Sequence, residues 1–277
     1  VKSVVFSPDG KLVVSGSEDH LVKIWNFETG AELCTMRGHL DSVTSVDFSP
    51  DGKRVVSGSE DGFVKIWNAT TGTEVRTLTG HSDTVWCVGF SPDGRRIVSG
   101  SSDKLVKIWS AKTGAELLTL RGHSREVTSV AFSSDGTCVV TGSYDKTVKI
   151  WDAKEGTKFC TLRGHLHPVA SVAFSPDSKR VVSGSFDTLV KIWNAATGAE
   201  MRTLRCHADF VRSVAFSPNG KLIVSGSDDK LVMIHNAATG EKIRTLTGHV
   251  DTVASVAFSL DGMRIVSGSW DTNVNIW

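Results

Sequence analysis

The sequence predicts an all-β protein in which one small sheet is repeated around an axis. Three observations lead there. Tryptophan recurs at 42-residue intervals at Trp25, Trp67, Trp109, Trp151 and Trp193, and again at Trp277. Histidine keeps the same interval at His39, His81, His123, His165, His207 and His249. No insertion disturbs the period, and no window sustains a helical pattern of apolar residues.

The second copy serves to read each element in turn. VTSVDFS (43–49) is rich in β-branched and aromatic residues and reads as a strand. SPDG (49–52) is a type I turn: Pro50 presets φ, Asp51 bonds the backbone and Gly52 closes it. KRVVSGS is a second strand, EDG (60–62) a tight turn, and FVKIW a third strand. NATTG turns the chain again, and TEVRTLTGH carries a fourth strand. A four-stranded sheet of this size has two apolar faces that it cannot bury alone. Stacking the copies around an axis buries both and leaves only short edges.

Composition narrows the function. The 277 residues suffice for one large or two ordinary domains, and 40% are hydrophobic. The formal charge of +1 predicts no long-range attraction to nucleic acid or acidic membranes. No apolar run reaches the ~18 residues of a membrane span, and no charged-then-apolar leader precedes the first copy. The chain starts at Val1 and both ends cut into a repeat, so it reads as a domain within a longer protein. The cysteines, Cys34, Cys87, Cys138, Cys160 and Cys206, are odd in number and form no C-x-x-C pair. They suggest free thiols in a reducing, cytoplasmic compartment rather than a disulfide framework or zinc site.

The motifs GH, SPDG, SGSxD and VKIW, in that order in nearly every copy, resemble the WD40 repeat family over the entire chain. That resemblance implies a seven-bladed β-propeller with four-stranded antiparallel blades, as one domain spanning residues 1–277. In this family the outermost strand of the last blade usually comes from the other end of the chain. Seven periods exceed the chain by 17 residues, so that closing strand is expected to be missing. The uniformity of the copies is similar to that of arrays in fungal and bacterial NOD-like signal-transduction ATPases, where the propeller is thought to sense a ligand.

The resemblance also implies a hydrogen-bonded chain of four side chains within a blade. The sets are His39, Ser57, Asp61 and Trp67; His81, Ser99, Asp103 and Trp109; His123, Thr141, Asp145 and Trp151; His165, Ser183, Asp187 and Trp193; and His249, Ser267, Asp271 and Trp277. A catalytic triad is the competing reading of His, Ser and Asp. It fails because active sites are not built in six copies and no nucleophile elbow or phosphate loop is present. Neither an enzyme nor a cofactor is expected. Blade six departs twice: His235 replaces the tryptophan and Cys206 the glycine before His207. This blade is expected to be the least stable, with Cys206 strained wherever that corner requires positive φ.

Comparison of the copies locates a candidate site. Val1 and its equivalents never vary, nor do Phe6 and its equivalents. Three positions vary freely, and in WD40 proteins these ring the channel mouth on the top face, the usual contact surface for peptides and proteins. The mouth carries the aromatic residues Trp86, Tyr144, Phe186, Phe210 and Trp270, the cations Lys2 and Arg212, and the anions Glu18, Glu60, Glu126, Asp209 and Asp228, of which Glu18, Glu60 and Asp228 are expected to lie close together. Exposed aromatics are common interface anchors. The expected partner is therefore a protein or peptide with apolar and basic groups, facing an aromatic arc and an acidic arc. Two alternatives remain. One is an assembly platform using blade edges and rim. The other is nucleic-acid or phosphate contact by the turns of the opposite face, where Lys11, Lys53, Arg54, Arg95, Arg96, Lys179, Arg180, Lys221 and Arg264 follow the hairpins.

Overall fold

A computed structural model describes all residues, Val1–Trp277. It contains no helix; the chain folds into seven antiparallel sheets arranged as a ring. Six sheets have four strands in sequence order, and the seventh has three. In blade two the strands are Val43–Phe48, Arg54–Ser59, Val64–Asn68 and Glu74–Leu78, from the channel outward. Strands this short are stable only when both faces are covered. The blade-to-blade stacking of Val56, Val64, Ile66, Val85, Val88, Ile97 and Trp109 provides that cover.

The sequence constants have physical causes. The glycine in the middle of each second strand lets the next blade approach. A Cβ on Gly58 would lie 2.7 Å from Val85 Cγ1, and one on Gly184 would lie 2.6 Å from Val211 Cγ1. The invariant valines thus fill the space that the glycines vacate, and they are fully buried from Val43 to Val253. Adjacent inner strands are also stitched by serine. Ser45 Oγ accepts the Val88 N–H at 3.1 Å, and Ser129, Ser171 and Ser213 accept the equivalent amides at 3.0–3.1 Å. Blade three carries Cys87 there, and its thiol turns instead toward the Gly100 and Val127 carbonyls.

The ring closes between blades seven and one through the same device. The Val4 N–H donates to Ser255 Oγ at 3.3 Å. The seventh sheet ends at Val274–Ile276 with no fourth strand outside it. Consequently Trp277, and Trp25 of the neighbouring blade, are half-buried, whereas Trp67, Trp109, Trp151 and Trp193 are fully covered.

Candidate interaction face

The repeated polar residues form the expected chains. In blade two the His39 Nδ1–H donates to Asp61 Oδ2 at 2.8 Å, Ser57 Oγ–H donates to His39 Nε2 at 2.7 Å, and Trp67 Nε1–H donates to Ser57 Oγ at 2.7 Å. Each donor finds one acceptor, which assigns the neutral imidazole tautomer. The pattern repeats within 2.7–2.9 Å in blades three, four, five and seven. Burial pushes the Asp61 carboxyl up, but hydrogen bonds from His39 and from the Leu40 and Phe63 amides outweigh it and hold it at about 2. Ser57 and its equivalents have no exposed surface and sit beneath a tryptophan ring.

Blade six keeps His207, Ser225 and Asp229 in place, at 2.8 Å for both bonds, but lacks the terminal donor. The expected strain at Cys206 is absent. The glycines at that corner in blades two to five and seven have φ of 151–159°, whereas Cys206 does not adopt positive φ.

The variable positions gather at one end of the inner strands. In blades two to seven the residue before the tight-turn aspartate and the residue before the invariant valine are joined by a backbone hydrogen bond, as in Phe186 N–H to Pro168 O at 2.9 Å and Asp228 N–H to Phe210 O at 3.0 Å. Tyr144 meets Phe186 edge-on with ring centroids 5.8 Å apart, and Phe186 stacks on Phe210 at 4.6 Å. The Arg212 guanidinium lies 4.7 Å from the Phe186 centroid, 5.7 Å from Phe210 and 5.4 Å from Trp270. Lys2 Nζ is 5.8 Å from the Trp270 ring. One continuous aromatic and cationic array thus runs from blade four through blade seven to blade one. Phe210 and Trp270 are its most exposed rings, at 38% and 44%.

One expectation about the mouth needs correction, that of its charges. Trp86 makes no ring contact with this array; it is half-buried, packs against the core between blades three and four, and its Nε1–H donates to Ser102 Oγ, at another variable position, at 2.7 Å. Nor is there a free acidic arc. Asp228 is paired to Arg212 through two bonds of 2.6 and 2.7 Å, and Glu18 to Lys2 at 2.9 Å. Of the three anions expected to form that arc only Glu60 is unpaired; Glu126 and Asp209, elsewhere at the mouth, also make no ion pair. Charges placed at two neighbouring variable positions of one blade neutralise each other across the hairpin, which a position-by-position reading does not reveal.

The opposite face also differs from expectation. Arg54 donates to Ala111 O at 3.1 Å, Arg96 to Ala153 O and Gly136 O at 2.7 Å each, and Arg180 to Gly220 O at 2.9 Å. Arg264 lies 4.7 Å from the Phe27 ring. Four of the nine basic side chains therefore brace neighbouring blades, and the free basic surface is correspondingly smaller. Sequence reading also passed over Asp47, a carboxylate at the channel-facing position where the other inner strands carry Val5, Gly89, Ala131, Ala173, Ala215 and Ala257. Comparison of that column across the copies would have found it. No group of three His, Cys, Asp or Glu side chains converges in metal-ligating geometry.

A closed ring of four-stranded blades with a residue-diverse mouth defines the class of propeller interaction modules. The chain belongs to the WD40 repeat family: the family model for the WD domain, G-beta repeat, matches residues 1–26, 30–68, 72–110, 114–152, 156–194, 198–236 and 240–277. Such propellers typically act as non-catalytic scaffolds that bind proteins or peptides. Short segments also match individual proteins. Identity is 49% over 43 residues with polyadenylation factor subunit 2 of Neurospora crassa and 40% over 45 residues with the general transcriptional corepressor TUP1 of Saccharomyces cerevisiae. It is 47% over 45 residues with an uncharacterized WD repeat-containing protein, alr3466, of Nostoc sp.. Each segment is 16% of this chain and covers 6%, 6% and 3% of the respective relatives. No helix here is long and apolar enough to cross a membrane.

Proposed function

We propose that the chain is the partner-binding domain of a larger signalling protein and recognises a protein or peptide at its channel mouth. The observation that carries this reading is the contiguity of Tyr144, Phe186, Phe210, Arg212, Trp270 and Lys2, which belong to different blades yet form one array. Because Asp228 and Glu18 already neutralise the two cations, the complementary partner presents apolar or aromatic side chains. Its basic groups, where present, meet Glu60 rather than an acidic arc. The regular copies support a sensor role like that of the NOD-like ATPase arrays, and the unpaired cysteines suit a reducing, cytoplasmic setting. Affinity capture with the native chain and with a Phe210→Ala/Trp270→Ala variant tests the proposal. Partners should be lost by at least tenfold in the variant, since buried aromatic anchors each contribute ~2 kcal/mol or more. Equal recovery by a folded variant would refute the mouth as the site.

A second reading is favoured by one other observation. Leu33, Val75, Leu117, Phe159, Met201 and Ile243 occupy the same position on six outer strands and are 49–58% exposed. This apolar belt suits an assembly platform that uses the rim, and Phe159→Asp/Met201→Asp would then remove partners that the mouth variant retains.

A further inference from the structure

In blade six, four repeat positions change together, and they lie beside one another. Blade two shows the usual arrangement. A Cβ on Gly38 would lie 3.2 Å from both Trp67 Cη2 and Glu74 Oε2, and Glu74 pairs with Lys65 at 2.8 Å. The corresponding residues in blade six are Cys206, His235, Lys242 and Met233. Each change permits the next. The smaller imidazole removes the ring that crowds a side chain at this corner in the other blades, and the Lys–Glu pair gives way to a single cation.

The result is a cleft of about 390 Å³ between the outer strand of blade five and blade six. Arg202, Arg205 and Lys242 line it, with no carboxylate among the lining residues, and none of the three is ion-paired. Arg202 spends its Nε–H on Ala238 O at 2.6 Å, which leaves its terminal nitrogens free. His235 forms the inner wall. It is 2% exposed, and its Nδ1 is the buried side-chain polar atom in this protein without a hydrogen-bond partner. Such an orphan ordinarily costs ~1–3 kcal/mol. The Cys206 thiol beside it is held protonated, burial pushing it up to about 11, so it contributes shape rather than reactivity.

We propose that this cleft binds a small oxyanion-bearing ligand, a carboxylate or a phosphate- or sulfate-type group, held by Arg202, Arg205 and Lys242 against the wall formed by His235. An oxyanion supplies a negative charge to three cations that no carboxylate of the cleft balances. The site is independent of the channel mouth.

Burial, with His207 and Lys242 nearby, depresses the His235 imidazole to about 4. The other ionisable groups facing it are Arg202, Arg205 and Cys206. An anion in the cleft favours the protonated ring, so binding raises that value and tightens as pH falls below about 5. Sulfate and trifluoroacetate, both ionised throughout the His235 titration and different in shape, serve as probes, with chloride at equal ionic strength as the control. The readouts are the NMR titration of His235 and the melting temperature. Sulfate or trifluoroacetate, but not chloride, should raise the His235 midpoint by about one unit or more, a tenfold coupling. Lys242→Glu should weaken the binding at least tenfold. Cys206→Gly/His235→Trp, which restores the residues of the other blades, should remove the ligand-dependent rise in melting temperature while keeping the fold. A His235 titration that is the same in all three salts, or equal binding by Lys242→Glu, would overturn the proposal.

Discussion

Single residues in this ring are constrained by hydrogen-bond arithmetic. Ser99 accepts from Trp109 and donates to His81, both at 2.8 Å. Ser99→Ala orphans two buried groups and should cost about 3 kcal/mol in denaturant unfolding. Ser99→Thr should cost less than about 1 kcal/mol, because Thr141 makes the same two bonds in blade four at 2.7 and 2.9 Å. Asp47 is the opposite case, a carboxylate with no cationic partner. Burial pushes its carboxyl up to about 7, against hydrogen bonds from the Phe90 and Phe48 amides. Its folded value lies above the unfolded value of about 3.9. The folded state therefore holds the proton between about pH 4 and 7, and stability present below that window declines as pH rises through it. Asp47→Asn should raise the melting temperature more at pH 8 than at pH 4. An increment independent of pH would show that the carboxyl is not perturbed.

At the scale of the blade, stability follows how completely each sheet is sealed by its tryptophan. Trp67 and its equivalents in blades three to five cap the serine or threonine and are buried against the preceding glycine. Blade six has His235 instead, with a cleft behind it. Amide hydrogen exchange should find Val232–Asn236 less protected than the matching strand Val106–Ser110 of blade three. Protection in blade six equal to that in blade three would contradict this account of the indole.

For the whole molecule the decisive feature is the seam between blades seven and one. Every other junction is covered by a fourth strand, but blade seven has three, and Ile276 and Trp277 lie at an open edge. Val4 bonds to Ser255, and the Val1 ammonium reaches Ser269 O at 3.4 Å. A chain extended beyond Trp277 by the sequence of residues 68–84 should melt at a higher temperature and bury Trp25 and Trp277, as read by fluorescence quenching. An unchanged melting curve would show that the inner strands alone carry closure.

The period and the four-strand unit were legible in the amino-acid order, because local turn chemistry and β-propensity act within a few residues and recur every 42. The His–Ser–Asp–Trp chains were legible only through the resemblance to the WD40 family. The columns that vary picked out the aromatics, and their expected place at the mouth came from the same resemblance. What remained hidden depends on neighbours distant in sequence. Arg212 lies among rings from three blades, Asp228 cancels it, Arg96 is drawn between blades, and Trp86 bonds to Ser102 while Trp270 joins the array. Likewise Cys206 and His235, two isolated oddities in the sequence, become one cleft only when the sheet brings them together. Local sequence specifies strands and turns through short-range sterics and hydrogen bonds. Which side chains pair, stack or are left unsatisfied is decided by the packing of the closed ring.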